Sequence, residues 1–319
     1  MIDQFGREIN YIRISVTDRC NLKCDYCVPD GGAACIKDEE LLTFDEIVRI
    51  CSQAVKLGIN SVKLTGGEPL VRANISDLVR WIKRIDGISQ VTMTTNGVLL
   101  KDHIDELVGA GLDAVNISID SVDPERYHKI TRVGNLEAAL EGLKAAINSG
   151  IIVKVNSVLY PGNDWKQIIE LAKDKPIGVR LIETMPLGMG IDYSGDFLED
   201  VLAYFNSQGI RLDTDSTAHG NGPAIYYKPE GFAGYIGIIA PMHGKFCNSC
   251  NRIRLSASGK IKPCLCFGDE YDIGSIVRTG SDEDVLDILK RAIMAKPLEH
   301  KFTDRDLITE KKMMSMIGG

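Results

Sequence analysis

The chain has 319 residues, 44% hydrophobic and 25% charged, a balance that excludes wholesale disorder and supplies enough apolar side chains for a sizeable core. Lys and Arg number 37 against 44 Asp and Glu, a net charge of −7, which excludes general nucleic-acid binding and means that an anionic ligand needs a local basic pocket. No apolar run approaches the roughly 20 residues of a membrane span, and the polar, acidic start Met1–Glu8 lacks signal-peptide character, so a soluble cytoplasmic protein without membrane partners is expected.

In chain order, Tyr11–Val16 reads as a first strand. Thr43, with Glu46 at capping-box spacing, opens a helix whose apolar face is Phe44, Ile47, Val48, Cys51, Ala54 and Val55, and Gly58 ends it. Ser61–Thr65 is a second strand, followed by a helix on Ile75, Leu78, Val79, Ile82 and Ile85 that stops near Gly87. Gln90–Thr95 and a helix around Ile104, Leu107 and Val108 come next, then Ala114–Ile119 and a helix from Leu136 to Ile147. Ile151–Leu159, a helix after Asp164 carrying Ile168, Ile169 and Ala172, and a sixth strand at Val179–Glu183 complete the series. Strands spaced by helices are parallel β/α units. Periodicity admits both an open doubly wound sheet and a partial barrel, and either places ligands at the carboxyl ends of its strands.

After Met185 the rhythm breaks. A helix is expected at Asp196–Asn206, then the stretch Gly220-Asn221-Gly222-Pro223, strands at Ala224–Lys228 and Tyr235–Ala240, and a hairpin of Arg252–Leu255 and Lys260–Pro263 turning at Ser256-Ala257-Ser258-Gly259. Ser281 caps a last helix carrying Val285, Leu286, Ile288 and Leu289, and a domain boundary is expected near residue 190.

The cysteines number 9, an odd count that argues against a disulfide framework inside a cell. Cys20, Cys24 and Cys27 form a C-x3-C-x2-C triplet directly after the first strand. Three thiolates can hold three irons of a four-iron cluster and leave the fourth open to a small molecule; a zinc site completed by a distant ligand also fits. Thr65-Gly66-Gly67-Glu68-Pro69 ends the second strand; its glycines allow close backbone approach to a ligand and Glu68 can accept from an ammonium, although alone the stretch reads as a turn. Cys247, Cys250 and Cys264 make a second triplet, and with Cys266 they equally suit a structural zinc knuckle. Arg13, Lys63, Lys154, Arg180, Arg252 and Arg254 fall on strand or hairpin positions. On apolar strands such cations need an anion, and a nucleoside triphosphate supplies one.

The first triplet, with Tyr26 before its last Cys, and Gly66-Gly67-Glu68-Pro69 resemble the radical S-adenosylmethionine (SAM) enzymes. Phe5-Gly6-Arg7 and the run Tyr11-Ile12-Arg13-Ile14-Ser15-Val16-Thr17-Asp18-Arg19-Cys20-Asn21 make the chain similar, over its whole length, to the GTP 3′,8-cyclase family of molybdenum-cofactor (molybdopterin) biosynthesis. This resemblance implies an α/β fold: a partial six-unit (β/α) TIM-like barrel over residues 1–190, with a C-terminal α+β domain over 191–319 closing its open side. It implies two [4Fe-4S] clusters, on Cys20, Cys24 and Cys27 and on Cys247, Cys250 and Cys264, with Cys266, Cys35 and Cys51 as bystanders. It carries SAM contacts over to Tyr26, Gly67, Ser118 and Met185. GTP contacts carry over to Arg13, Lys63, Thr94, Lys154, Arg252 and Arg254, with Arg13 and Lys63 also catalytic. The family often has Arg at Lys63 and a base at Ser61; Lys keeps the charge and loses the bidentate fork. The terminal Gly318-Gly319 would reach into the active site.

The implied reaction is reductive cleavage of SAM, hydrogen removal from the ribose C3′ of GTP and attack on C8, giving (8S)-3′,8-cyclo-7,8-dihydroguanosine 5′-triphosphate. Implied partners are a flavodoxin- or ferredoxin-type electron donor and a cyclic pyranopterin monophosphate synthase that takes the product, with the chain a monomer or homodimer. The residues themselves leave two other classes open: a radical SAM enzyme with an auxiliary cluster acting on another substrate, such as a peptide maturase, and a non-catalytic zinc-binding protein.

Overall fold

A computed structural model describes the chain apart from residues 29–34, 161–162, 189–196, 218 and 318–319. Strands β1 (Tyr11–Ser15), β2 (Ser61–Thr65), β3 (Gln90–Thr95), β4 (Ala114–Ser118), β5 (Ile152–Leu159) and β6 (Gly178–Glu183) alternate with helices α1 (Phe44–Val55), α2 (Ile75–Lys83), α3 (Leu100–Gly109), α4 (Pro124–Thr131), α5 (Leu136–Asn148) and α6 (Trp165–Ile169). These strands pair in parallel in chain order. The rest of the chain forms α7 (Phe197–Ser207), β7 (Leu212–Asp215), β8 (Ile225–Pro229), β9 (Tyr235–Ile239), β10 (Arg252–Leu255), β11 (Lys260–Lys262), β12 (Tyr271–Asp272), α8 (Ile273–Thr279), α9 (Asp282–Met294) and α10 (Met314–Ile317).

All the strands belong to one 12-stranded sheet, ordered β12-β11-β10-β1-β2-β3-β4-β5-β6-β9-β8-β7. The C-terminal part of the chain therefore extends both edges of the barrel sheet. β10 pairs with β1 in parallel, Arg13 opposite Arg254, and β9 pairs with β6 in parallel, Arg180 opposite Gly237. The sheet curves without closing, a partial TIM-like barrel.

Local chemistry sets the elements. Thr43 and Glu46 close a reciprocal capping box at α1, with Thr43 N donating to Glu46 Oε2 at 2.8 Å and Glu46 N to Thr43 Oγ1 at 3.2 Å. Strand alternation divides two environments. Ile12, Ile14, Val62, Leu64, Val91 and Met93 face the helices and are buried in the main core, while Arg13, Lys63, Thr92 and Thr94 between them face the barrel interior and line a cavity. A parallel sheet covered on both faces ordinarily reads as an unbroken apolar run, so the polar inner side chains mark the interior as a site.

Several expected features differ in detail. Helix α4 follows an Asp123 cap whose side chain accepts from Arg126 N; it escapes a periodicity search because its sequence, PERYHKIT, is largely polar. β7 and β12 are short and β7 is polar, and α8 follows β12 directly. Arg7 staples the N-terminus to the C-terminal segment: Nε donates to Asp3 Oδ2 (2.7 Å), Nη1 to the carbonyls of Cys247 and Leu298 (both 3.0 Å) and Nη2 to Pro297 O (2.7 Å).

Candidate active site

The barrel interior holds a cavity of about 790 Å³. Cys20, Cys24 and Cys27 line it, and so do Cys247, Cys250 and Cys264, so triplets from distant parts of the sequence share one space. Cys266 is off this cavity, buried in a small apolar cluster with Leu187, Leu265, Phe302 and Ile317. Cys35 is exposed and Cys51 buried in the core.

The first triplet sits on the loop after β1. Backbone pairing with the loop after β2 holds it: Gly67 N donates to Thr17 O and Glu68 N to Arg19 O, both at 2.8 Å. This contact requires the two glycines, because a Cβ at Gly66 would lie 2.4 Å from Thr17 O and one at Gly67 2.3 Å from Arg19 O. Glu68 is fully buried. Its carboxylate accepts from Leu70 N (3.0 Å), Thr95 Oγ1 (2.7 Å) and Asn96 N (2.7 Å); it thus ties β2 to β3 instead of offering its oxygens to a ligand ammonium.

Burial pushes the Cys27 thiol up to about 12 and the Cys24 thiol higher still, with the nearby Asp120 acting in the same direction. Thiols held this firmly in the protonated form are released by a metal, which replaces the proton and cancels the charge. Leu22 N donates to Cys20 Sγ at 3.3 Å. Among the described residues no three His, Cys, Asp or Glu side chains stand close enough together to hold a single metal ion; three thiols on one cavity wall are instead the donor set of a multi-iron cluster, each iron taking one thiolate.

The second triplet differs electrostatically. Burial raises the Cys250 thiol, but Lys296 and Arg252 together outweigh it and bring it down to about 7. His300 N donates to Cys247 Sγ at 3.4 Å. Cys247, Cys250 and Cys264 present the same three-thiol donor set to the cavity.

Arg13, Lys63, Lys154, Arg180, Arg252 and Arg254 all line the cavity, with Thr94. The register places Arg254, Arg13 and Lys63 side by side across β10, β1 and β2. Burial holds Lys63 well below the usual lysine range, and Arg180, Arg13, Lys154 and Arg252 add to it. Lys154 is brought down to about 8 by burial and Arg180. Among the described residues no carboxylate forms an ion pair with Lys63, Lys154, Arg180 or Arg252; Arg180 Nε donates to Asn156 Oδ1 at 2.8 Å, and Lys154 Nζ to the His219 carbonyl. Like charges packed in a water-poor cavity are paired by a polyanion at a large gain. Ser61 lies beside this group and takes a hydrogen bond from the Asn221 side chain.

Tyr26, Gly67, Ser118 and Met185 line the same cavity. The Tyr26 hydroxyl donates to Asp120 Oδ2 at 2.5 Å, and Asp120, raised to about 6 by burial, also accepts from Val158 N at 2.7 Å. Asp120, Lys296 and His300 line the cavity without having been singled out in the sequence. Asp120 stands just past the carboxyl end of β4, a position that points to a site; Lys296 and His300 lie in irregular chain after α9 and carry no such signal. Gly318-Gly319 lies outside the described residues.

The description "Radical SAM superfamily" matches residues 14–174, and "Molybdenum Cofactor Synthesis C" matches residues 177–302. Over all of this chain and all of the relatives, the sequence is 41% identical to a GTP 3′,8-cyclase of Heliobacterium modesticaldum, 39% to one of Clostridium perfringens and 42% to one of Alkaliphilus oremlandii. Among solved structures, Streptococcus suis SuiB bound to S-adenosylmethionine superposes with a TM-score of 0.62 at 15% identity, covering 96% of this chain and 76% of that one. anSMEcpe with bound AdoMet and a Cp18Cys peptide gives 0.56 at 14% identity, covering 92% and 81%. These two likenesses concern the fold.

Proposed function

The chain belongs to the GTP 3′,8-cyclase family of the radical SAM superfamily, and from that premise we propose how its own residues divide the work. It is an enzyme of molybdenum-cofactor biosynthesis that cyclises GTP to (8S)-3′,8-cyclo-7,8-dihydroguanosine 5′-triphosphate. It uses SAM and an iron–sulfur cluster.

Cys20, Cys24 and Cys27 would hold the SAM-binding cluster, and Cys247, Cys250 and Cys264 would hold a second cluster on the guanine side of the GTP site. Bound there, cluster and SAM supply the one-electron chemistry that removes hydrogen from the ribose. The observation that carries this reading is the meeting of both sulfur triplets and the inner-strand cations in one cavity. Tyr26, Gly67, Ser118 and Met185 contact SAM, with Tyr26 fixed by Asp120. Arg13, Lys63, Lys154, Arg252 and Arg254 pair with the triphosphate, and Thr94 supplies a hydroxyl. Arg180 joins that group, since it shares their cavity and, among the described residues, forms no ion pair with a carboxylate. Arg13 and Lys63 lie next to each other in register, and Lys63, with its proton loosely held, is placed to deliver one. Enclosure by the barrel excludes water from a reactive intermediate and holds the reacting atoms near each other.

The expected division near residue 190 lies outside the described residues, and the two family matches meet upstream of it, between residues 174 and 177. The chain acts as a monomer or a homodimer. Among the described residues no helix is long and apolar enough to cross a membrane, and open-iron clusters favour the cytoplasm. A flavodoxin- or ferredoxin-type protein donates the electrons, and a cyclic pyranopterin monophosphate synthase takes the product; both assignments rest on the family.

The test is anaerobic turnover of the reconstituted chain with SAM, dithionite and GTP. Expected are 5′-deoxyadenosine and the cyclised nucleotide, with SAM cleavage dependent on GTP; Cys24→Ser should lower both by at least about a thousandfold, since the cofactor carries the chemistry. SAM cleavage retained in Cys24→Ser refutes the first site, and zinc without sulfide in the purified chain refutes both.

A further inference from the structure

Two lysines of the C-terminal segment are almost wholly buried, Lys262 at 1% exposure and Lys296 at 3%. Their surroundings differ. Lys262 Nζ pairs with Glu310 and lies 3.4 Å from Glu270 Oε1, the ordinary way of keeping an ammonium in a protein interior. No carboxylate pairs with Lys296 among the described residues. Its Nζ donates to Arg252 O at 2.9 Å and Pro263 O at 2.8 Å, and Lys296 lines the same cavity as Cys247, Cys250 and Cys264. Arg252 lies two residues after Cys250, and Pro263 precedes Cys264. One ammonium therefore gathers both arms of the second triplet, and among the described residues no carboxylate balances it.

The backbone around Lys296 is fixed as well. Arg7 binds the neighbouring Pro297 carbonyl at 2.7 Å and the Cys247 carbonyl at 3.0 Å. Lys296, Cys247 and Cys250 are thus set on one frame. At the first triplet the charges nearby are of the other sign, from Asp120, Asp25 and Glu68.

We propose that Lys296 is a positioning residue of the second cluster, a fixed counter-charge that is anchored on the carbonyls beside Cys250 and Cys264 and raises that cluster's reduction potential. This rests on the reading of Cys247, Cys250 and Cys264 as cluster ligands. Reduction adds negative charge, so a fixed nearby cation favours the reduced form.

The experiment uses the full-length chain with Cys20, Cys24 and Cys27 changed to Ala, which leaves the second triplet alone. After anaerobic reconstitution, iron and sulfide are counted, and the cluster is followed by EPR through a redox titration. The parent chain should hold about four irons. Lys296→Met should keep them and shift the midpoint to lower potential, and Lys296→Arg should restore most of the shift. If Lys296→Met does not fold, Lys296→Gln, which keeps a donor for the carbonyls, gives the same comparison. A loaded Lys296→Met or Lys296→Gln at the parental potential overturns the role of Lys296 while leaving the cluster in place. A parent chain without iron and sulfide overturns the second cluster, and the inference with it.

Discussion

Glu68 shows how a buried carboxylate is balanced between opposing effects. Burial raises it from the usual 4.5 to about 7, against the lowering effect of Asn96, Thr95 and Leu70. The native chain therefore holds this proton more tightly than the unfolded chain. The stabilisation is complete below about pH 4.5 and is lost as pH rises through about 7. Across that window wild type should lose on the order of 2–3 kcal/mol relative to Glu68→Gln, which does not titrate. Urea unfolding of both chains at pH 4.5 and pH 8 measures it, and a gap independent of pH would mean that the hydrogen bonds to Glu68 fully offset its burial and leave its native pKa at the unfolded value. In the sequence Glu68 is legible only as a carboxylate beside two glycines. Its role depends on donors from β3 and the loop after it, which no local pattern predicts. The inner cations were easier to read, because Arg13, Lys63 and Lys154 interrupt otherwise apolar strands. Lys296 interrupts no pattern, and its role emerges only from three-dimensional contacts.

At the scale of elements, the six β/α units follow from periodicity because each is built from local contacts. What periodicity misses is either polar, like α4, or paired by residues far away, like β9 and β10 with the barrel edges. The docking of the loop after β2 on the loop after β1 is also non-local. There the glycines serve a backbone contact as well as lining the cavity, since the carbonyls of Thr17 and Arg19 occupy the space of a Cβ. Gly67→Ala should cost roughly 1–3 kcal/mol through overpacking. It should also lower iron at the first triplet, because Arg19 is the residue before Cys20. Gly109, at the end of α3, has nothing within 4 Å of a Cβ, so Gly109→Ala should be neutral or stabilising by up to about 1 kcal/mol. Thermal unfolding with iron analysis separates the two; Gly67→Ala with wild-type melting and full iron would show that the loop shifts without cost.

At the scale of the whole molecule, the sequence left sheet and partial barrel undecided because curvature depends on how edge strands are covered. The chain covers them with its own C-terminal part: β10 takes the β1 edge and β9 the β6 edge, both in parallel register. The same pairing puts Arg252 and Arg254 beside Arg13 and brings the second sulfur triplet over the first. Structure and site therefore depend on one closure. An isolated barrel fragment, residues 1–188, would expose two parallel edges with unpaired backbone groups, which invite aggregation. It would also leave Arg13 without β10 beside it, and the Arg7 staple would lose the carbonyls of Cys247, Pro297 and Leu298. That fragment is expected to be insoluble, or soluble without a cooperative unfolding transition, whereas the full chain unfolds in a single transition. Co-expression with residues 197–319 as a second chain should recover soluble material, since the missing contacts are strand pairings and hydrogen bonds that need no covalent link. Circular dichroism during urea unfolding of the fragment, alone and with its complement, decides the matter. A lone fragment that unfolds cooperatively would show that the barrel is stable without its edge strands, and that the C-terminal part completes only the site.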